Sequence, residues 1–171
     1  MSNYLDYNAS TPIDSRVLDV MIDAFQNRYG NADSRTHEFG ESARRIVEDS
    51  RGNIAKLLNV KKDEVFFTSG ATESDNISIL GLQEYAEHTS KKHIITTAIE
   101  HKAVLEPLSA LEAKGFEVTY IKPDKSGRIN PDEVLSNVRD DTLLVSVMHI
   151  TEDFIRIDSD CYRYCFARNR H

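Results

Sequence analysis

A run of small polar residues near the middle of the chain has the composition of an anion-binding turn. The run is Thr68-Ser69-Gly70-Ala71-Thr72-Glu73-Ser74, and residues 64–68 before it predict a short buried strand. Gly70 allows the backbone to turn tightly and a ligand to approach it closely. The free N–H groups of the helix that follows attract an anion, and the hydroxyl of Thr72 is a further donor. The pattern therefore predicts a site for a phosphate ester.

The same run also suits a plain strand-to-helix turn built from small residues, and the segment alone does not decide between the two. It is not a Walker loop, because no Gly-Lys-Ser/Thr follows. It is not a dinucleotide fingerprint either, because the second and third glycines are missing.

Two further segments carry groups able to bind ligands. Glu100-His101-Lys102 follows a predicted strand, at the edge of a parallel sheet where ligands bind, and His101 could stack on an aromatic ring or titrate near neutral pH. The loop from Gly30 to Gly40 is polar and is flanked by glycines. Each has a simpler alternative, a helix-capping surface histidine in the first case and a solvated connection between helices in the second.

The elements that must position these groups alternate between helix and strand. Apolar spacing predicts a helix capped by Ser15 and a second helix over 41–59. Strands are predicted at 64–68, 93–97, 116–121 and 142–148, with a helix through Ile77, Leu80 and Tyr85 after the first, and others at 103–111 and from 130. This order predicts an α/β fold of three layers, α/β/α, around a mainly parallel sheet.

Composition excludes several classes of protein. The chain of 171 residues is 40% hydrophobic and 29% charged and has a net charge of -7. A nucleic-acid backbone needs clustered Lys and Arg, which are scattered here, so we expect no nucleic-acid partner. No apolar run reaches the roughly 20 residues of a membrane span, and residues 1–6 do not resemble a signal peptide. We therefore expect a cytoplasmic protein with no membrane partner.

The two cysteines, Cys161 and Cys165, lie near the end of the sequence. Two cysteines do not make a disulfide framework. A zinc site would need two more ligands, and His171 supplies one at most, so we expect no metal.

Taken in order, the segments resemble the cysteine desulfurase family of class V, fold-type I pyridoxal-phosphate enzymes. The matching stretches, with spacing that also fits, are 4–12, 30–40, 67–76, 100–105 and 145–149. The resemblance covers residues 4 to about 150. It implies the fold-type I large domain, of which this sequence contains a partial, truncated sheet.

The resemblance also implies roles for individual residues. Gly70, Ala71 and Thr72 would bind the phosphate of pyridoxal 5'-phosphate, and His101 would stack on its pyridine ring. The substrate site would be bordered by two loops that contain Asn8, Ala9, Asn31 and His37.

In this family the cofactor lets L-cysteine lose its Cα proton, and a cysteine nucleophile takes the sulfur as a persulfide and leaves alanine. Sulfur-acceptor proteins then carry the sulfur to iron–sulfur cluster assembly, tRNA thiolation or related pathways. The resemblance implies a homodimer.

The sequence departs from the family near residue 150. The family continues with Asn-Asn-Glu-x-Gly, then an aspartate for the pyridine nitrogen and a Ser-x-His-Lys segment with the Schiff-base lysine; here Thr151-Glu152-Asp153 follows. Every lysine lies between Lys56 and Lys125, at positions without that role. Neither Cys161 nor Cys165 has the surroundings of the persulfide cysteine. No catalytic residue is therefore assigned.

These departures lead to a hypothesis about the organisation of the chain. Residues 1–14 are predicted to be an N-terminal arm, 15–150 a partial cofactor-binding domain, and 151–171 an unmatched tail from a frameshifted or truncated gene. The leading interpretation is the N-terminal half of a cysteine desulfurase, inactive alone, with an unpaired edge on its last strand. The alternatives are a non-catalytic paralogue that acts as a binding or dimerisation module, and a phosphate-binding domain of another class.

Overall fold

The computed structural model describes Tyr4, Tyr7 and residues 9–149. The chain divides into two compact units. Residues 10–67 form a helical unit, and the described residues from Thr68 onward, with Tyr4, Tyr7 and Ala9, belong to an α/β unit.

The helical unit contains helix α1 (Ser15–Asn27) and helix α2 (Glu38–Leu58). Asp14, and not Ser15, caps α1, because its carboxylate accepts the N–H of Arg16 at 2.9 Å, so Ser15 is the first helical residue. Helix α2 begins three residues before the predicted start, since His37 caps it, and it ends at Asn59 in the left-handed conformation.

The apolar stripe predicted for α1 is present but is not covered within the described part of the chain. No residue of α1 is buried there. The exposed side chains include Val17, Leu18, Met21, Ile22 and Phe25.

The strand predicted at 64–68 is wrong. Lys62–Glu64 is a short 3-10 helix, and the residues after it pair with no strand among those that the structure describes. Instead, the guanidinium of Arg51 donates to the carbonyl of Val65 and lies 4.9 Å from the centre of the Phe67 ring. Without a neighbouring strand an apolar run has no ladder to join, and Phe66 stays 79% exposed.

The α/β unit begins with helix α3 (Ala71–Leu80) and helix α4 (Gln83–Thr89). The sequence predicts one helix here, and the structure breaks it at Gly81. The N–H of Gly81 bonds to the carbonyl of Ile77, and a Cβ on Gly81 would lie only 2.4 Å from that oxygen. The tight turn therefore requires glycine and ends α3 early.

A parallel sheet of three strands follows, in the order β2-β1-β3. Strand β1 is His93–Thr97, β2 is Glu117–Ile121 and β3 is Thr142–Val145, which is shorter than the predicted strand at 142–148. The connecting helices are α5 (Lys102–Glu112) and α6 (Pro131–Ser136). All five residues of β1 are buried, as expected for the central strand.

Helices cover both faces of the sheet, which confirms the predicted three-layer α/β/α fold. Ile94 packs with residues of α3, α4 and α5 on one face. Ile95 packs with Ile121 and with Val134 of α6 on the other. Within the described residues, β3 pairs only with β1, so its other edge carries no strand there.

Candidate functional site

Gly70 precedes helix α3 and faces open space. Its backbone is extended, with φ 164° and ψ -179°, a conformation that any residue adopts. A Cβ at this position would meet nothing within 4 Å. Neither the backbone nor the protein packing therefore requires glycine here, and the open space is available to a ligand.

The first three N–H groups of helix α3 belong to Ala71, Thr72 and Glu73. The first helical hydrogen bond is donated by Ser74 to the carbonyl of Gly70, at 3.1 Å. The three N–H groups before Ser74 have no acceptor within the part of the chain that the structure describes, and Ala71 and Thr72 are exposed. Exposed N–H donors at the positive end of a helix dipole attract anions, so the start of α3 is the candidate anion site.

Hydrogen bonds between polar side chains stabilise the turn before α3. Both the N–H and the hydroxyl of Ser69 donate to Oε2 of Glu73 at 2.6 Å. Thr68 Oγ1 lies 2.7 Å from Ser74 Oγ and donates to the carbonyl of Gly70 at 3.1 Å. The hydroxyl of Ser69, and then its N–H, lower the pKa of Glu73 below its ordinary value. The carboxylate thus stays ionised and fixes the shape of the turn before a ligand arrives. We call residues 68–74 the phosphate cradle.

His101 lies at the carboxyl end of β1 and caps helix α5. Its Nδ1 accepts the N–H of Ala103 at 3.1 Å, and the residue is exposed. In the neutral ring this bond leaves the proton on Nε2. His101 can cap the helix and still expose the face of its ring, because the cap uses only Nδ1 at one edge of the imidazole.

Glu100 lies immediately before His101 and is 8% exposed. Its Oε1 accepts the Thr97 hydroxyl at 3.0 Å and the N–H of Met148 at 2.7 Å. Burial raises the pKa of Glu100, these two donors oppose that rise, and the charge of Asp75 adds to it. Helix α3, which carries Asp75, packs in the same core cluster as α5, through Ile79 and Val104. No role for Glu100 is predicted from the sequence.

Asn31 and His37 lie in the helical unit, in the loop before α2. Asn31 Oδ1 accepts the N–H of Asp33 at 2.9 Å, and His37 Nδ1 accepts the N–H of Gly40 at 3.1 Å. Arg44 donates to the carbonyls of Ala32 at 2.9 Å and Ser34 at 2.8 Å. The loop is therefore held in one shape by its own helix.

The remaining predicted site residues are Ala9 and Asn8. Ala9 lies in an exposed turn of the α/β unit. Asn8 is outside the described residues, as are Cys161 and Cys165. The structure therefore brings Gly70, Ala71, Thr72 and His101 into one unit.

Among residues 4, 7 and 9–149, no group of three His, Cys, Asp or Glu side chains is placed to hold a metal ion. No helix in the same part of the chain is long and apolar enough to cross a membrane.

The α/β unit thus carries exposed N–H donors at the start of α3 and an exposed histidine at the carboxyl end of β1. The chain belongs to the class-V aminotransferase family, whose model matches residues 3–153. Curated relatives include two proteins named cysteine desulfurase IscS. The one from Anaeromyxobacter sp. (strain K) is 46% identical over 150 residues, and the one from Stutzerimonas stutzeri (strain A1501) is 49% identical over 153. The predicted resemblance to cysteine desulfurases is confirmed.

Solved structures agree. DndA from Streptomyces lividans superposes with a TM-score of 0.76 at 51% identity, over 88% of this chain and 42% of that one. A NifS-like protein gives 0.79 at 44% identity, over 87% and 40%. The matches cover 88% of this chain but only 37% of the length of both curated relatives, in their N-terminal portion. Pyridoxal phosphate is the cofactor expected for this family.

Proposed function

We propose that this chain supplies the phosphate- and ring-binding half of the pyridoxal-phosphate site of a cysteine desulfurase. The observation that carries the proposal is the row of N–H groups at the start of α3, which have no acceptor among the described residues and follow the open position Gly70. A phosphate dianion fits this donor set, because it brings several acceptor oxygens to three adjacent N–H groups and the Thr72 hydroxyl.

Each residue has a distinct task in this site. Gly70, Ala71 and Thr72 would hold the phosphate, with the negative charge placed at the positive end of the helix dipole. His101 would stack on the pyridine ring through the exposed face of its imidazole. When bound, the cofactor supplies an electron sink that eases loss of the Cα proton from an amino acid.

The proposal extends to substrate, partners and organisation at the level of the family. L-cysteine is the proposed substrate, bordered by Asn8, Ala9, Asn31 and His37, and a sulfur-acceptor protein is the proposed partner. We place the site in a cytoplasmic homodimer, with residues 1–14 as an arm, 15–150 as part of the cofactor domain and 151–171 outside it.

The chain's own residues do not supply the whole reaction. No Ser-x-His-Lys segment occurs in residues 1–171, and every lysine lies between Lys56 and Lys125. The cofactor would therefore be held by hydrogen bonds and stacking alone, and the substrate amine would have no covalent group to displace. A polypeptide of these residues is proposed to bind the cofactor without releasing sulfur.

The affinity for pyridoxamine 5'-phosphate tests the proposal, because this ligand has no aldehyde to react with surface lysines. Calorimetry should detect its binding, and pyridoxamine, which lacks the phosphate, should bind at least tenfold more weakly. Thr72→Val should weaken binding of the phosphate ester about tenfold, the worth of one hydrogen bond to a charged group.

Thr89→Val is the matched control, since Thr89 is an exposed threonine at the far end of α4 whose hydroxyl bonds only to the carbonyl of Tyr85. It should bind as the unaltered chain does. Equal affinity for pyridoxamine and its phosphate would refute the proposed cradle.

A further inference from the structure

Glu100 is a buried carboxylate that joins three segments at the carboxyl edge of the sheet. Through Oε1 it holds the Thr97 hydroxyl at the end of β1 and the Met148 N–H beyond the end of β3. Its own backbone enters the turn that begins α5. Met148 is 48 positions away in the chain, so this is a long-range link.

Packing alone does not explain a carboxylate at this position. A buried charge loses its hydration, and Glu100 recovers part of that loss through its two hydrogen bonds. An apolar side chain would fill the same space without the loss, but it would accept no hydrogen bond and would leave the Met148 N–H without its partner.

The next residue is His101, and it is fixed from the other side. Its Nδ1 accepts the Ala103 N–H, so consecutive side chains anchor the two ends of one peptide, Glu100 to the sheet and His101 to α5. The Glu100 side chain therefore helps to fix the peptide that carries the imidazole.

We propose that Glu100 is a positioning residue, which fixes the orientation of the His101 ring toward the cofactor. The same carboxylate links His101 to Met148, just after the end of strand β3. This inference rests on the proposed function, because it presumes that His101 stacks on the ring. It adds that the histidine and the segment leaving β3 move together, through one carboxylate.

Two ligands separate this role from a general loss of structure. Inorganic phosphate needs only the phosphate cradle, whereas pyridoxamine 5'-phosphate also needs the histidine. Glu100→Ala should weaken binding of pyridoxamine 5'-phosphate about tenfold and leave the affinity for phosphate unchanged. Glu100→Gln should stay within about twofold of the unaltered chain, because its amide oxygen still accepts both hydrogen bonds. Glu106→Ala, on the exposed side of α5, is the matched control and should change neither affinity.

A second measurement needs no ligand. In Glu100→Ala the Met148 amide should exchange its hydrogen faster, relative to the amide of Ile95 in the same sheet. The Cε1–H resonance of His101 should shift as well, and both signals should return in Glu100→Gln.

The two measurements distinguish the failure of each claim. Unchanged Met148 exchange and an unchanged His101 resonance in Glu100→Ala would overturn the positioning role whatever the ligands do. Equal weakening for phosphate and pyridoxamine 5'-phosphate, or a glutamine variant as weak as alanine, would overturn it too. If the unaltered chain bound neither ligand, the proposed function would fail, and the proposed contact between His101 and the cofactor ring would fail with it.

Discussion

His93 joins all three strands through its two ring nitrogens. Nδ1 lies 2.8 Å from the Thr142 hydroxyl on β3, and Nε2 lies 2.9 Å from the Thr119 hydroxyl on β2. The residue is fully buried, and burial, followed by the charge of Arg139, lowers its pKa below the ordinary value of 6.5. A buried imidazole at the start of the central strand therefore links strands that are far apart in sequence.

This burial predicts a stability that falls on mild acidification. Because the unfolded chain binds a proton at His93 more readily than the folded chain does, the free energy of unfolding should decrease as the pH falls below 6.5. The slope should be at most about 1.4 kcal/mol per pH unit for this one group. Urea unfolding at several pH values between 7.5 and 5 measures it.

His93→Gln is the comparison for this measurement. It should be less stable at pH 7.5 but should have a flatter dependence on pH. The carboxyls beside His93, Glu117 and Asp141, do not interfere in this range, since hydrogen bonds from Arg139 lower their pKa values. Equal slopes for the two proteins would show that His93 is not responsible.

The residues of the candidate site can be predicted from the sequence, but the hydrogen bonds that hold them in place cannot. The phosphate cradle and His101 stand out because their chemistry lies in short local patterns. The roles of His93 and Glu100 depend on Thr142 and Met148, which lie 49 and 48 positions away. No local pattern contains those bonds, so only the folded chain reveals them.

At the scale of elements, the loop before α2 depends on a glycine inside that helix. A Cβ at Gly40 would lie 2.5 Å from the carbonyl oxygen of Ser34 and 3.0 Å from that of Asn31. Both neighbours are backbone atoms, which cannot rotate away. The loop that carries Asn31 and His37 therefore packs on α2 only if residue 40 has no side chain.

Two glycine substitutions in α2 should consequently differ in their effect on stability. Gly40→Ala should destabilise the protein by about 1 to 3 kcal/mol through overpacking. Gly52→Ala is the control, since its Cβ would meet only the flexible end of Lys62 at 3.1 Å, and it should be neutral or stabilising by up to about 1 kcal/mol. Unfolding in urea compares them, and equal stabilities would contradict this explanation of the loop.

The spacing of apolar residues predicts a strand correctly where the apolar run is buried inside the sheet. Strand β1 matches the prediction at both ends, and β2 differs by one residue, because each is an apolar run inside the sheet. Residues 64–68 have a similar composition but no neighbouring strand among the described residues, and the apolar pattern cannot report that. The break at Gly81 was missed because glycine is also tolerated inside helices.

For the molecule as a whole, the match covers 88% of this chain. It covers only 37% of the length of the curated cysteine desulfurases. The proposed phosphate and ring contacts lie in the α/β unit, while Asn31 and His37 belong to the helical unit. None of the lysines in the matched residues stands in a Ser-x-His-Lys segment.

A polypeptide of these 171 residues should therefore lack desulfurase activity. With pyridoxal phosphate and L-cysteine it should release no more alanine than the free cofactor does. Quantifying alanine over time against a protein-free control makes the measurement. Alanine and sulfide formed in repeated turnovers would contradict the prediction.

Binding of the cofactor phosphate at the start of α3 can be observed by mapping the amide signals of the chain during titration with pyridoxamine 5'-phosphate. The amides of Ala71, Thr72 and Glu73 should shift most, the His101 ring should shift with them, and pyridoxamine without phosphate should leave the three amides unchanged. Shifts centred elsewhere, with these three amides unmoved by the phosphate ester, would show that the start of α3 does not bind the phosphate.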